Sequence, residues 1–252
     1  MGSPFFPVQS TVPRARCLLI ELVFRPHEYS RLDIPKLNSA DDGMSHDPDN
    51  EFKSALVAAV ASFGLDPLTK EQNGQLVEHY AMLCKWNQRI NLTRIITARE
   101  AAQFHYAESL FGAKFIIGSR TVLDIGSGAG FPAIPLAVVS PHVEVTALEA
   151  NHKKSIFLLE AKDALRLANL KVVTARLEEF DCAPYELLTT RALDRAETIL
   201  PSIIERLNAK QRLILYCGTD LVAKLEIQFE DKIETHPIPH SEARIIALFS
   251  PE

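Results

Sequence analysis

Apolar positions recur at helical spacing from residue 52 onward. Phe52, Ala55, Leu56, Ala59, Val60 and Phe63 form one stripe, with Asn50 placed to cap the helix and Gly64 to end it. A second helix opens at Thr69, whose partner Gln72 completes a capping box, and runs through Val77, Tyr80, Ala81 and Cys84 towards Trp86. A third opens at Thr97, with Glu100 three residues on, and carries Phe104, Ala107 and Phe111. Beyond residue 120 the periods alternate. Strands are predicted at 121–126, 143–149, 170–175, 186–190 and 212–217, helices at 132–139, 153–168, 195–207 and 219–228, and two last strands near 232–238 and 243–249. That alternation predicts an α/β fold: a doubly wound, mostly parallel sheet (118–252) behind a small N-terminal helical unit (51–117). In such a fold ligands sit at the carboxyl ends of the strands, beside the topological switch point.

Residues 1–50 break the pattern. Pro4, Pro7, Pro13, Pro26, Pro35 and Pro48 punctuate them, and 38–50 is a polar, acidic, turn-rich run, so a disordered tail is expected, with Met44 as an alternative start. Arg14 and Arg16 precede the apolar stretch 17–24, but no small-residue cleavage pattern follows, which argues against an export signal. Glu21 interrupts that stretch, and nothing in the chain approaches the roughly 18 apolar residues of a membrane span.

The 252 residues are 47% hydrophobic, enough for one sizeable α/β domain with an appendage. A net charge of −5 excludes a protein that coats nucleic acid indiscriminately, but leaves room for a local basic face. Cys17, Cys84, Cys182 and Cys217 include no C-x-x-C pair, so neither a metal site nor a disulfide framework is indicated, and a reducing cytoplasm fits.

The candidate chemistry centres on residues 121–132, where a strand, a glycine-rich turn and a helix start follow one another. Gly126, Gly128 and Gly130 let the backbone turn tightly beneath a ligand. A dinucleotide fingerprint wants its third glycine where Phe131 stands, which argues against a nicotinamide-dependent oxidoreductase. Glu149 closes the next strand about 20 residues on, where a carboxylate accepts hydrogen bonds from both ribose hydroxyls of an adenosine. Leu177 and Glu178 follow the third strand, where an adenine would meet a short acidic loop. Arg191 offers a fixed positive fork at the end of the fourth strand, for a carboxylate or an RNA phosphate. The Pro-Pro-aromatic motif of amino-group methyltransferases is absent there, and neither Cys182 nor Cys217 has the proline-rich setting of a cytosine-C5 enzyme.

Residues 83–93, 123–136, 176–179 and 190–192 together resemble the RsmG (GidB) family, over about residues 55–250. The K-W-N-x-x-x-N-L-T run (Lys85, Trp86, Asn87, Asn91, Thr93) and the G-F-P-x-I-P-L continuation are far more specific than the glycines alone. The resemblance implies a Rossmann-like class I methyltransferase that uses S-adenosyl-L-methionine to methylate N7 of a guanine in 16S rRNA of the small ribosomal subunit. It implies a cytoplasmic protein with no membrane and no metal, which we expect to act as a monomer. Gly126, Gly128, Phe131, Glu149, Leu177, Glu178 and Arg191 would bind the cofactor, Arg191 alternatively the guanine, and no side chain would act as a general base. Lys85, Arg89, Lys153 and Lys154 are candidate RNA contacts, and Trp86 is expected to pack. The chain departs from the family in two places. Phe104-His105 with Glu108-Ser109 stand where the family often has Arg-His with Asp-Ser, and Cys217 stands where it often has lysine. A non-catalytic rRNA or ribosome-assembly binding protein that keeps the fold is the rival reading.

Overall fold

The computed structural model describes residues 48–191, 196–229 and 232–251. Most of the expected tail, Met44 and Cys17 lie outside the described residues, as does Ala192 of the fourth-strand motif. Helix α1 spans Pro48–Ser62, so Asn50 is not its cap. Proline suits the first helical position, Asp49 and Glu51 suit the first turn, and the Asn50 carbonyl accepts a hydrogen bond from Ser54 Oγ at 2.9 Å. Gly64, at φ +66°, follows the helix end. Helix α2 (Lys70–Asn87) opens on the expected capping box: Thr69 Oγ1 accepts from the Gln72 N–H, and Gln72 Oε1 from the Thr69 N–H.

The third helical run begins as predicted, with Thr97 capping α3 (Ala98–Glu100), but its middle is not an α-helix. It widens to a π-helix over Ala101–Ala107 and returns to α-helix as α4 (Glu108–Phe111), followed by a 3-10 turn at Gly112–Phe115. The Glu108 N–H reaches five residues back to the Gln103 carbonyl. Widened turns of this kind often mark functional sites. Here the carbonyls of Phe104 and His105, inside the widened stretch, also accept hydrogen bonds from a side chain of the sheet.

The strands are β1 (Thr121–Ile125), β2 (Glu144–Glu149), β3 (Leu170–Thr174), β4 (Leu187–Arg191), β5 (Arg212–Gly218), β6 (Ile233–Pro237) and β7 (Arg244–Phe249). Their order is β3-β2-β1-β4-β5-β7-β6, all parallel except β7, which runs antiparallel to both neighbours. The crossover helices are α5 (Ala133–Val139), α6 (His152–Ala164), α7 (Ala196–Ile204) and α8 (Thr219–Phe229). Helix α6 stops short of the predicted 168, because Arg166 turns left-handed at φ +54° and Gln75 Nε2 donates to the Leu165 carbonyl. The chain winds outward from β1 to β3 and then returns to β4 on the other flank of β1. The switch point therefore lies between the carboxyl ends of β1 and β4.

Each sheet face carries its own core. On one, the helical unit, α5 and α6 bring Phe52, Tyr80, Tyr106, Phe131 and Phe157 into a single cluster with Val122 and Val145. On the other, Leu200, Ile203, Val222 and Leu225 of α7 and α8 cover Leu123, Ile125, Leu188 and Leu213. Among the described residues no helix is long and apolar enough to cross a membrane, and no group of three or more potential ligands is placed to hold a metal.

Candidate cofactor and substrate site

The glycine turn is stitched to the strand beside it. Gly126 and Ser127 N–H both donate to the Leu148 carbonyl, at 2.8 and 3.1 Å. The Glu149 carboxylate, buried at the end of β2, accepts from the Gly128 N–H at 2.8 Å and from the Asn151 N–H at 2.7 Å. Each oxygen keeps a second lone pair for a ribose hydroxyl. Gly130 sits at φ +87°, where an L side chain is strained, and a Cβ there would also push aside Ile134 Cδ1, 2.5 Å away.

Asp124, within β1 just before the glycines, is fully buried, and neither carboxyl oxygen has a hydrogen-bond partner among the described residues. Burial pushes its pKa up to about 7, helped by Glu149, while Ser127, the Ala133 N–H and Arg191 pull the other way. Ser127 and the Ala133 N–H are thus close enough to favour its charged form, although neither makes a well-formed hydrogen bond to the carboxyl. Leu177 lies half-buried in the 3-10 turn after β3 and Glu178 is exposed beside it. Gly126, Gly128 and Glu149 therefore meet at the carboxyl ends of β1 and β2, and Leu177 and Glu178 lie beyond the end of β3.

The other two expected cofactor residues are oriented differently from expectation. The Phe131 ring is buried in the helical unit, stacked on His105 with centroids 4.6 Å apart and edge-on to His79 and Tyr106. Arg191, at the end of β4, turns its fork into the protein. Its Nη2 pairs with Glu108 Oε2 at 2.8 Å and donates to the Phe104 carbonyl, and its Nη1 reaches the His105 carbonyl at 3.5 Å. The other Glu108 oxygen pairs with Arg244 Nη1 at 2.5 Å, and the Arg244 guanidinium lies over the Phe104 ring. Burial pushes the Glu108 pKa up, and the two arginines oppose it. Arg244 is opposite Gly218 in the β5–β7 ladder, one place from half-buried Cys217, so a cation does stand near that strand end, though it comes from β7.

The helical motif proves to be a brace. Asn87 Oδ1 accepts from the Leu92 and Thr93 N–H groups and its Nδ2 donates to the Thr93 carbonyl, which fixes the loop after α2. Thr93 Oγ1 lies 2.7 Å from His105 Nε2. Trp86 packs on Phe157 and donates from Nε1 to Glu160 at 3.0 Å. Gln75, early in α2, meets the end of α6, while Trp86, late in α2, meets its middle, so the two helices run antiparallel. That places Lys85 and Arg89, both exposed, towards the α6 N-terminus, where Lys153 is exposed and Lys154 half-buried. Asn151 Oδ1 accepts from both of their backbone N–H groups. Asn91 is exposed.

Sequence reasoning did not single out Glu108, Arg244 or His79 as parts of the site. The signals were a charge inside the apolar run 104–111 and a histidine on the buried stripe of Leu76, Tyr80 and Leu83. His79 is fully buried with Nδ1 2.9 Å from the Tyr106 hydroxyl, and burial lowers its pKa to about 3. His105 is also held neutral, by burial first and then by Arg191, His79 and Arg244.

A family model described as rRNA small subunit methyltransferase G (GidB) matches residues 72–242. Proteins named ribosomal RNA small subunit methyltransferase G from Neisseria meningitidis and Pseudomonas putida are 39% and 42% identical to this chain over 142 and 132 residues. Those alignments cover 56% and 52% of this chain and 68% and 61% of the relatives. Among solved structures, a SAM-dependent O-methyltransferase from Thermotoga maritima aligns at 16% identity with a TM-score of 0.47, over 67% of this chain and 71% of its own, a likeness too loose to bear on activity.

Proposed function

This chain belongs to the rRNA small subunit methyltransferase G (GidB) family, and we propose that it transfers the methyl group of S-adenosyl-L-methionine to N7 of a guanine in 16S rRNA. The observation that carries the reading is the glycine turn tied to Glu149 at the carboxyl edge of the sheet. Gly126 and Gly128 would let the cofactor approach the backbone, Glu149 would accept from its ribose, and Leu177 and Glu178 would flank its adenine. When bound, the cofactor supplies an electrophilic sulfonium methyl.

Guanine N7 carries a lone pair and no proton, so the chain needs no general base. Holding the two reactants in line is enough. Two histidines kept neutral by burial are consistent with that, since neither adds a cation beside a base that becomes positive. Lys85, Arg89, Lys153 and Lys154 form a basic rim at this end of α2 and α6 that would grip phosphates, making activity salt-sensitive. We further propose that it works as a monomer on the small subunit in the cytoplasm.

The test is to incubate the protein with labelled cofactor and small-subunit particles, then map N7-methylguanine by aniline cleavage. We expect cleavage at one guanine. Label confined to methylated cytosine or adenine would overturn the assignment. Glu149→Ala is expected to weaken cofactor binding by about 1–3 kcal/mol in calorimetry, as charge-assisted hydrogen bonds are lost.

A further inference from the structure

His105 is 3% exposed, and its Nδ1 has no hydrogen-bond partner among the described residues. It touches both flanks of the switch point. Its ring stacks on Phe131 of the glycine motif, and its carbonyl receives Arg191 from the end of β4. A buried polar atom without a partner costs stability, so it needs an explanation.

The proton can be placed by satisfying its neighbours. Thr93 Oγ1 already accepts from the Ile95 N–H at 3.1 Å, and His105 Nε2 is the acceptor within its reach among the described residues. Giving the hydroxyl proton to Nε2 satisfies Thr93 and leaves the single imidazole proton on Nδ1. The unpartnered atom is then a neutral N–H donor, buried between the glycine motif and the end of β4.

Resting on the methyl-transfer reading above, we propose that His105 Nδ1–H donates to O6 of the target guanine and so selects that base and sets N7 before the methyl group. O6 and N7 lie side by side on one base edge, and both are acceptors. O6 continues to accept when N7 is alkylated. A neutral donor is preferred to a cation there, because the base gains positive charge. Arg191 is unsuited to the task while Glu108 and two carbonyls hold its fork. Thr93, held by Asn87, acts as the positioning residue: it fixes the tautomer and ring plane.

The experiment replaces the guanine mapped by aniline cleavage with 2-aminopurine, which keeps N7 and lacks O6, or with inosine, which keeps both. Small-subunit RNA carrying each base is reconstituted into particles, and transfer is followed with tritiated cofactor. The wild type is expected to lose roughly tenfold to a hundredfold in kcat/KM on 2-aminopurine and little on inosine. His105→Phe keeps the stack on Phe131 and removes both nitrogens. It is expected to lose a similar factor on guanine, to show no further loss on 2-aminopurine, and to bind S-adenosylhomocysteine as the wild type does. His105→Asn, whose amide nitrogen can stand in for Nδ1, is expected to retain discrimination between the two bases. The proposal is overturned if the wild type treats 2-aminopurine like guanine, or if His105→Phe keeps the wild-type discrimination. It is also overturned if the Phe variant loses only cofactor affinity. Absence of N7-methylguanine in wild-type reactions is a different outcome, which sinks the functional reading and this assignment together.

Discussion

The two faces of the sheet are both well buried, but different forces hold their covering layers. Helices α7 and α8 meet β1, β4 and β5 through aliphatic side chains such as Leu200, Val222 and Leu225, and that cluster is plain packing. The opposite layer is aromatic and polar. Phe131 is ringed by His79, His105 and Tyr106, and Glu108 binds Arg191 and Arg244 from two strands. Apolar packing resists loss of volume but tolerates small shifts, whereas a buried ionic and hydrogen-bonded layer fixes geometry and fails when one partner goes. The glycine turn is tied to the second layer, so the elements that shape the site are those that fail most sharply.

The largest expected effect is at Glu108. Glu108→Gln leaves two buried guanidinium groups without their counter-charge, and we expect a loss of about 3–5 kcal/mol in urea unfolding together with weakened cofactor binding. Leu200→Ala on the aliphatic face should cost about 2–5 kcal/mol, but any folded protein should bind cofactor with unchanged affinity. If both substitutions reduced affinity equally, the contrast between the faces would be wrong.

Titration sharpens the contrast further. Asp124 has its folded pKa raised to about 7, so it favours the folded state at pH values below its unfolded value near 4 and disfavours it increasingly up to about 7. Asp124→Asn should therefore gain melting temperature relative to the wild type as pH rises from 4 to 8. His79 acts in the reverse sense: its folded pKa is lowered to about 3, so its contribution is present above pH 6.5 and fades on acidification. The Leu200→Ala deficit should be flat across the same range. The smallest effect is expected at Trp86→Phe, which keeps packing on Phe157 and loses an exposed hydrogen bond to Glu160, about 0.5–1 kcal/mol by denaturant midpoint.

The sheet was legible because strands buried on both faces read as apolar runs, and because caps such as Thr69 and Thr97 announce themselves locally. The glycine turn and Glu149 were legible for the same reason, since spacing along one βαβ unit places them. The π-helix was not, because its apolar spacing over 101–107 hardly differs from that of an α-helix. Nor was the fate of Arg191. Its position at a strand end follows from the alternation, but its partner Glu108 lies 83 residues away and no local pattern links them.

The same carboxylate constrains the order in which the chain can be built during synthesis. Glu108 emerges from the ribosome long before β4 brings Arg191, and Arg244 follows later still at the start of the final strand. Until then, burying Glu108 would strand a charge in an apolar layer, so the helical unit cannot settle into its final packing when first made. We expect the nascent helices to stay loosely associated, open to chaperones and proteases, until the last strand closes the sheet and completes the ion pairs.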